Sequence, residues 1–448
     1  MTDTAGVAPE RTNLDQAISE LRAHADEWAG KAVPEKIDML LASRANLGRC
    51  ARKWVDASVA GKRLDPGLPW VGVEWVSGPW ALAAGINAYL ETLDALAAGG
   101  LPKLKGMTTT ADGRLKVPVF PRSVFDRLLM SGVTAEVWMQ PDVTADNLAD
   151  NMASFYRRER PRGGVALVLG AGNINSIAPL DALYRLVALG QVVMLKMNPV
   201  NDYLVEILDE VFAPFVAGGF LRVVRGGADV GEYLTRHDGI DEIHITGSGR
   251  THDAIVFGGG DEGMARKQRG EPVLDKPITS ELGGVGPTIV VPGPWSRADI
   301  AFQAQNVVSM KLHNAGCNCV ATQVLVLPRE WELRDVFLDE VRRLMQELPE
   351  RTAYYPGAAD RQQAAVDAHP DAEQFAGDVP RTLITDLDPE AEDEYCYSSE
   401  FFGPVLAVTS LEGSDPATFL ERAVDFCNRR LDGTLGATVL VHPRTERE

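Results

Sequence analysis

The sequence predicts an α/β fold in which a doubly wound parallel sheet is followed by a second α/β segment. From residue 163 onwards, apolar runs typical of strands alternate with helical segments, and each connection is long enough to hold a helix. The chain has 448 residues and is 45% apolar, which suffices for more than one domain core and disfavours disorder.

Amphipathic helices are predicted at the amino terminus. Apolar residues recur at helical spacing at Leu14, Ile18, Leu21, Ala25 and Trp28. Asn13 is placed to cap this helix, and a second helix is predicted from Pro34. A packed helix is predicted over 80–100, where polar residues interrupt the apolar stretch and exclude a membrane span. Alternation and prolines in 101–150 predict an edge strand and loops.

The regular alternation begins with a β-α-β unit. Strands are predicted at 165–169, 192–196, 221–224 and 243–246, with helices at 178–189, 203–215 and 230–234. In the second segment, strands are predicted at 288–291, 323–327, 405–408 and 437–441, with helices at 335–347 and 418–429. Between the segments, glycines 258–260 and the basic run 266–269 indicate a solvated surface insertion rather than a phosphate-binding loop.

Charge and cysteine content exclude several classes of protein. The chain carries 44 basic and 63 acidic residues, a net charge of −19, which disfavours nucleic acid or an anionic membrane as a partner. Residues 1–12 lack a cationic start followed by an apolar core, so no secretory signal is expected. An odd number of cysteines, five, indicates a reduced cytoplasmic protein rather than a disulfide framework.

The segment from Asn314 to Cys319 places a cysteine after a polar, glycine-bearing turn, with the carboxylate of Glu281 upstream. This pattern predicts a thiolate nucleophile and a separate base. Because an ordinary thiol, with a pKa of about 8.5, is mostly protonated near neutral pH, we expect backbone N–H groups or a bound cation to lower the pKa of the nucleophile. Gly316 would let the backbone approach closely.

Two other interpretations of these cysteines stay open on local pattern alone. Cys317 and Cys319 can be small buried residues, as unpaired cysteines often are. With His313 they also form a set of metal-ligand types, but no second cluster at zinc-finger spacing completes a four-ligand shell. The absence of that second cluster disfavours a metal site.

A glycine-bearing loop follows the first strand of the β-α-β unit. Gly170 and Gly172 suit a dinucleotide-binding loop, but Asn175 stands where that fingerprint requires its third glycine. Alone, this motif does not specify a function.

Taken together, five separated segments resemble the aldehyde dehydrogenase superfamily in order and spacing. They are the β-α-β segment with Gly172-Asn173 and Met194-Leu195-Lys196, then Ile245-Thr246-Gly247-Ser248, Glu281-Leu282-Gly283-Gly284, Asn314 to Cys319, and Glu400-Phe401-Phe402-Gly403-Pro404-Val405. The match runs from about residue 160 to residue 441. The resemblance implies a doubly wound parallel-sheet cofactor domain, with the amino-terminal helices, in residues 1–282 and a second α/β catalytic domain in residues 283–448.

The resemblance implies NAD(P)-dependent oxidation of an aldehyde to a carboxylic acid. Cys319 would be the nucleophile that carries a thiohemiacetal and then a thioester, Asn173 would bind the oxyanion together with the Cys319 backbone N–H, and Glu281 would activate water as the general base. From the residues alone, Asn173 can instead cap the following helix and Glu281 can be a surface carboxylate. The apolar, glycine-rich context after Glu281 predicts partial burial and a raised pKa.

The resemblance also implies NAD or NADP as the cofactor. It places Lys196 on the adenosine ribose, Gly247 and Ser248 at the pyrophosphate, Glu400 on the nicotinamide ribose and Phe402 against the nicotinamide ring. Lys196 can otherwise be a solvated lysine at a strand end, and Phe402 an ordinary core residue.

Four departures from the family pattern bear on these expectations. Pro199 stands three residues after Lys196, where members that prefer NAD often carry glutamate, so the 2′-phosphate of NADP would meet less repulsion. Gly172 replaces the family's tryptophan and leaves one pocket wall open. The gap before Glu281 is longer than in the family, which we attribute to the insertion at 258–268. The chain stops at Glu448, and we therefore expect a catalytic domain that is incomplete at its carboxyl terminus.

The partners implied by the resemblance are a small-molecule aldehyde and further copies of the chain, as a dimer or tetramer. Two other functions are compatible with parts of the sequence. In an acylating relative, coenzyme A takes the acyl group, or the reaction runs backward as an acyl-CoA reductase, but such relatives usually lack the base Glu281. A catalytically silent cofactor-binding scaffold would agree with the altered pocket and the early end of the chain.

Overall fold

The computed structural model describes residues 11–413 and 415–447. Residues 1–10, on which the expected absence of a signal sequence chiefly depends, lie outside the described residues. The predicted α/β class is confirmed, because two mainly parallel sheets are flanked by helices. Within the described part of the chain, no helix has both the length and the apolar character needed to cross a bilayer.

Four helices form the amino-terminal part of the described chain, and the first of them packs against the first parallel sheet. They are α1 (Arg11–Gly30), α2 (Val33–Gly61), α3 (Val71–Trp75) and α4 (Ala81–Ala97), with a π-helical turn, Val76–Trp80, between the last two. The apolar stripe of α1 is buried, and the indole of Trp28 donates to the carbonyl of Leu186 at 2.9 Å. The three predicted helices are confirmed. The predicted cap is wrong, because Asn13 lies inside α1, which is already helical at Arg11.

A small antiparallel sheet follows. Its strands are β1 (Thr108–Thr109), β2 (Leu115–Phe120) and β3 (Ala135–Trp138), accompanied by α5 (Val124–Leu129) and α6 (Leu148–Asn151). The prediction of an edge strand is wrong, because β2 is the central strand of the three. Pro118 is tolerated there because β1 pairs only with Leu115 and Lys116, so most of β2 has a neighbour on one side alone.

The first parallel sheet contains five strands in the order β6-β5-β4-β7-β8. The strands are β4 (Val165–Leu169), β5 (Val192–Lys196), β6 (Leu221–Val224), β7 (Glu242–Gly247) and β8 (Ile278–Leu282). The connecting helices are α7 (Ile177–Leu183), extended by the π-helical turn Tyr184–Ala188, then α8 (Val205–Val211), α9 (Ala213–Ala217), α10 (Ala228–Arg236), α11 (Gly249–Phe257) and α12 (Gly260–Arg269). The strand order reverses between β4 and β7, and in doubly wound sheets the crevice at that point binds ligands.

Two predictions in this region need correction. The helix expected over 203–215 is broken into a 3₁₀ turn, α8 and α9. Phe212 leaves the helical conformation, and Pro214, which has no N–H to donate, lies in the first turn of α9. The basic run at 266–269 belongs to α12 and is therefore helical. Residues 267–269 are exposed, as the prediction of a solvated run requires, but Arg266 is partly buried and lines the central cavity.

The second sheet has six strands in the order β11-β12-β13-β10-β9-β14, and within it β11 alone is antiparallel to its neighbour. The strands are β9 (Pro287–Val290), β10 (Val324–Pro328), β11 (Glu373–Gln374), β12 (Thr382–Leu387), β13 (Val405–Leu411) and β14 (Thr438–Leu440). The helices are α13 (Arg297–Leu312), α14 (Arg334–Glu347), α15 (Ala358–Ala368), α16 (Tyr395–Ser398) and α17 (Pro416–Arg430). Sequence analysis missed α13, whose apolar residues are spread around the helix and form no clear stripe.

Loops of both parallel sheets line one cavity. Loops from the carboxyl ends of β4, β5, β7 and β8 line it from one side, and segments that lead into β9, β10 and β13 line it from the other. The first sheet ends at Leu282 and the second begins at Pro287. Independent domains at 1–282 and 283–448 remain a prediction.

Candidate active site

All eight residues predicted to act in catalysis or cofactor binding line a single cavity of about 1630 Å³. They are Asn173, Lys196, Gly247, Ser248, Glu281, Cys319, Glu400 and Phe402. Since these residues come from loops of both parallel sheets, their convergence depends on the tertiary fold.

The cysteine loop reverses direction immediately after α13. Asn314, Ala315 and Gly316 have φ values of 54°, 58° and 76°, a left-handed run that is unfavourable for residues other than glycine. A Cβ atom on Gly316 would lie 2.3 Å from the carbonyl oxygen of Gly403. The backbone approaches closely at Gly316, but it approaches Gly403 and not the thiol of the predicted nucleophile.

The reversal gives the two cysteines different environments. Cys317 is fully buried, with Sγ 3.5 Å from the carbonyl oxygen of Phe402, and so matches the interpretation as a small core residue. Cys319 is partly exposed and lines the cavity. The ring of His313 hydrogen-bonds to Nδ2 of Asn318 at 3.0 Å. Within the described residues, His313 and the two cysteines do not form a cluster that could hold a metal.

The expectation that the protein lowers the pKa of the nucleophile is wrong. Burial raises the pKa of the Cys319 thiol, and the negative charge of Glu281 raises it further. The backbone N–H groups of Cys319 and Val320 act in the opposite direction, but less strongly. The thiol is therefore protonated at neutral pH until its proton is taken.

Asn173 lies in the loop after β4, 5% exposed, and its side chain points to the cysteine loop. Its Nδ2 donates to the carbonyl of Cys317 at 3.1 Å. The interpretation as a helix cap is wrong, because Ser176 precedes α7 and no side chain caps that helix. An amide nitrogen carries two hydrogens, so Asn173 can donate a second bond into the cavity.

A buried ionic network that sequence analysis missed holds these two loops together. Lys62 donates to the backbone carbonyl of Asn173 at 2.9 Å and lies 2.9 Å from Oε2 of Glu74. Arg351 donates to Oε1 of Glu74 at 2.8 Å and to Oδ1 of Asn314 at 2.9 Å. No local motif could have revealed this network, because residues in direct contact within it lie up to 277 positions apart.

Nδ2 of Asn314 completes the connection between the loops. It donates to the carbonyls of Asn173 at 3.1 Å and Cys317 at 3.0 Å. The hydroxyl of Tyr354 also donates to the carbonyl of Asn173, at 3.0 Å. The positions of the predicted nucleophile and the predicted oxyanion donor are thus fixed by one shared set of buried groups.

Glu281 lies near the end of β8 and is exposed, so the expected partial burial is wrong. The reason is that β8 is an edge strand of its sheet, and the central three residues of the strand are all exposed. The carboxylate nonetheless lines the cavity with Cys319 and contributes to the thiol's raised pKa. It is therefore close enough to Cys319 to act electrostatically on it.

Glu400 is the carboxylate that is buried. Burial raises its pKa from 4.5 to about 7, against smaller opposing effects of the Gly284 N–H, Arg361 and Lys311. Its Oε1 has no hydrogen-bond partner among the described residues. A Cβ atom on Gly283 would lie 2.2 Å from that oxygen, so the carboxylate packs directly on the glycine backbone.

Phe402 adopts a φ of 44° and lines the cavity rather than the core. Its ring packs edge-on against Tyr355, with centroids 4.7 Å apart and an interplanar angle of 71°. The two rings give this part of the cavity an aromatic wall. Tyr355 was not predicted from the sequence.

The other end of the cavity has the features of a dinucleotide site. Lys196 ends β5 and is only 8% exposed, and burial lowers its pKa while Asp229 and Asp202 oppose that effect. The interpretation of Lys196 as a solvated lysine is therefore wrong. Ser248 caps α11 by accepting from the N–H of Thr251 at 3.2 Å. The amino terminus of this nine-residue helix suits phosphate groups.

Comparison with known proteins agrees with this geometry. The family model described as "Aldehyde dehydrogenase family" matches residues 132–429, which is more than half of the chain. The chain belongs to the aldehyde dehydrogenase family.

Curated members of the aldehyde dehydrogenase family are similar at modest identity. The aldehyde dehydrogenase LUC3 of Fusarium is 28% identical over 305 residues, covering 62% of this chain and 58% of that protein. Coniferyl aldehyde dehydrogenase of a Pseudomonas species is 26% identical over 314 residues, covering 65% and 59%. The chain thus spans less than two thirds of the length of these relatives.

Solved structures of aldehyde dehydrogenases share the fold. The NAD-dependent aldehyde dehydrogenase of Sinorhizobium meliloti superposes with a TM-score of 0.67 at 17% identity, covering 98% of this chain and 76% of that one. The NADP-dependent glyceraldehyde-3-phosphate dehydrogenase of Bacillus halodurans, complexed with NADP, gives 0.64 at 17% identity, covering 97% and 84%. At this identity the similarity establishes the fold alone.

Proposed function

We propose that this chain oxidises an aldehyde to a carboxylic acid with NAD or NADP, through a thiohemiacetal and a thioester on Cys319. The observation that supports this most strongly is the convergence of a thiol, an amide donor and two carboxylates on one cavity between the two sheets. The family of the chain agrees with the same reaction.

In the proposed mechanism, the first step is the attack of Cys319 on the aldehyde carbon. Because burial and the charge of Glu281 raise the pKa of the thiol, a base must remove its proton as the C–S bond forms, and Glu281 is the carboxylate placed for this role. The second N–H of Asn173 and the backbone N–H of Cys319 then donate to the oxyanion.

The residues of the cavity fit a dinucleotide. The unpartnered Oε1 of Glu400 can accept from a ribose hydroxyl, Lys196 and the start of α11 suit the adenosine and phosphate end, and Phe402 offers a flat apolar surface. The chemistry that NAD or NADP supplies when bound is acceptance of a hydride from the substrate carbon. Glu281, exposed to the cavity, would first release the thiol proton to solvent and would then, as a carboxylate again, activate the water that hydrolyses the thioester.

Turnover with a panel of aldehydes tests the proposal, measured as formation of reduced NAD or NADP. Cys319→Ala should abolish turnover, because no other thiol lines the cavity among the described residues. Cys427→Ala is the matched control, since this thiol lies on α17 and outside the cavity lining. Unchanged turnover of Cys319→Ala would remove the proposed nucleophile, and strict dependence on coenzyme A would replace water as the acyl acceptor.

We also propose that NADP is accepted. Pro199 places no carboxylate three residues after Lys196, and the cavity lining includes the guanidinium groups of Arg236, Arg250 and Arg266. Arg236 and Arg266 pair with Glu232 and Glu262, whereas Arg250 has no acidic partner among the described residues. The guanidinium of Arg250 would favour an additional phosphate. The ratio of kcat/KM for NADP and NAD measures the preference, and no detectable turnover with NADP would contradict the proposal.

A homo-oligomer is proposed from an exposed apolar surface on α5 and β3. Phe125, Leu128 and Leu129 are between 72% and 79% exposed, and Trp138 on β3 is 59% exposed. Several large apolar side chains with this much exposure within one short stretch of chain are unusual on a monomer. Sedimentation analysis should give a dimer or tetramer for the parent chain and a smaller species for Leu129→Glu. A monomeric parent would contradict the proposal.

A cytoplasmic location is proposed from the cysteines. All five lie within the described residues, and none forms a disulfide. Reduced thiols, including a proposed nucleophile, suit a reducing compartment.

A further inference from the structure

A group of three possible metal ligands lies outside the cavity described above. It consists of His369 at the end of α15, Glu394 before α16, and Cys396 within α16. Nε2 of His369 lies 3.0 Å from Oε1 of Glu394 and 3.5 Å from Sγ of Cys396, and all three atoms lie within 4.8 Å of one another. Cys396 is fully buried, whereas the other two side chains are partly exposed.

We propose that His369, Glu394 and Cys396 form a structural zinc site. Thiolate sulfur, imidazole nitrogen and carboxylate oxygen are the three kinds of ligand that Zn²⁺ takes in proteins. Its usual bond lengths and tetrahedral geometry place a sulfur and a nitrogen ligand about 3.6 Å apart, and a nitrogen and an oxygen about 3.4 Å apart. The distances of 3.5 Å and 3.0 Å in the group are close to this geometry.

The arrangement around the imidazole also points to a metal. In a catalytic triad, the acid and the nucleophile contact opposite ring nitrogens of the histidine. Here Glu394 and Cys396 both contact Nε2 of His369. All three ligand atoms lie within 4.8 Å of one another, close enough for one metal ion to contact each of them. The partial exposure of His369 and Glu394 leaves room for water as the fourth ligand.

Metal binding would replace the S–H bond of Cys396 with a zinc–sulfur bond. A thiol of ordinary pKa, about 8.5, carries its proton near neutral pH, so Cys396 must lose that proton to bind metal as a thiolate. When Zn²⁺ binds, the S–H bond breaks, a Zn–S bond forms and the proton leaves to solvent. The imidazole would bind through its neutral Nε2 lone pair and Glu394 as a carboxylate, so the thiol proton is the one that this exchange releases.

The location of the site gives the metal a structural role. Three residues separate Cys396 from Glu400 and five separate it from Phe402, and both of these residues line the large cavity. The same segment is held on its other side by Gln323, whose Nε2 donates to the carbonyls of Cys396 and Ser399. Zinc would tie this segment to the end of α15, and so fix the wall that carries Glu400.

Cobalt substitution provides a direct test on the full-length protein. Co²⁺ alone, added to metal-free protein under reducing conditions, should bind at one ion per chain and give the near-ultraviolet absorption of a thiolate-to-cobalt bond. Cys396→Ser and His369→Gln should each lose this absorption or weaken cobalt binding at least tenfold. Cys427→Ser and Cys319→Ser are the matched controls, and both should keep it. Zn²⁺ alone should displace the cobalt and raise the Tm of the parent chain, but not that of His369→Gln.

Several outcomes would overturn the proposal. One is an absorption that persists in Cys396→Ser but disappears in Cys319→Ser, which would assign the cobalt to the thiol in the cavity. Another is the absence of one-to-one binding in a parent chain that is folded by circular dichroism. If Cys396→Ser fails to fold, His369→Gln carries the test, because its side chain is partly exposed. The result does not depend on aldehyde oxidation and can be separated from it.

Discussion

The buried pair of Lys62 and Glu74 should be required for stability, and Glu74→Gln tests this directly. The side chains of Lys62 and Glu74 are fully buried, and that of Arg351 is 3% exposed. Glu74 is the carboxylate that contacts both cations, at 2.9 Å and 2.8 Å. Substitution with glutamine keeps the shape of the side chain but leaves two buried positive charges without a counter-ion.

Removing one partner from a buried ion pair lowers the free energy of unfolding by about 3–5 kcal/mol. We expect Glu74→Gln to fall within this range, because the two cations cannot reach solvent. Asp56→Asn is the matched control, since Asp56 forms a 2.9 Å pair with Arg52 on the exposed face of α2. Exposed pairs contribute about 0–1 kcal/mol, so the control should change little.

Urea unfolding followed by circular dichroism measures both variants. In the Glu74→Gln background, Lys62→Met should recover part of the loss, because it removes one of the uncompensated charges. If Glu74→Gln loses no more stability than Asp56→Asn, the reasoning is refuted. The reasoning is also refuted if Lys62→Met lowers the stability of the Glu74→Gln variant by as much as it lowers the stability of the parent chain. The two charges would then act independently.

Three further predictions concern the cavity. The pKa of Glu400 is about 7 in the folded chain and 4.5 ordinarily, so between these pH values the folded state binds more protons than the unfolded state. The free energy of unfolding should therefore fall as the pH rises from 4.5 to 7. Urea titrations should show that Glu400→Gln removes this part of the pH dependence. Asn173→Ala should lower kcat by about 10²–10³ through the lost oxyanion donor, whereas an unchanged kcat in steady-state assays would exclude that role. Gly283→Ala should raise the KM for NAD or NADP by displacing the Glu400 carboxylate, whereas Gly48→Ala, which meets no atom within 4 Å, should not.

Much of the first sheet could be predicted because most of its strands have a clear pattern in the local sequence. β4 is buried and apolar throughout, β5 is buried and apolar up to its last residue, Lys196, and the helix between them follows a glycine-bearing loop. The edge strand β8 escaped prediction because its central residues are exposed and polar. The helix α13 escaped because its apolar residues form no single stripe. Local sequence pattern therefore predicted strands that are fully buried. It missed an edge strand with exposed central residues and a helix without a single apolar stripe.

The cavity residues were predictable as types but not in their electrostatics. Cys319, Asn173 and Glu400 were identified from short motifs, and the structure brings them to one cavity. Sequence reasoning nevertheless expected Glu281 to be buried and the pKa of the thiol to be lowered. Both depend on which strand lies at a sheet edge and on how much protein surrounds the sulfur, and these are properties of the assembled fold.

The sequence by itself determined the α/β class, the order of most strands and helices, and the residue types of the cavity, because strand patterns and short motifs are set by neighbours along the chain. Only the tertiary structure decided that Cys317 is buried while Cys319 faces the cavity. Only in the folded chain do Lys62, Glu74 and Arg351 contact one another, next to the loops that carry Asn173 and Asn314. Only there does His369 contact Cys396. Burial and electrostatic interaction depend on distances through space, and residues far apart in sequence set those distances only when the chain is folded.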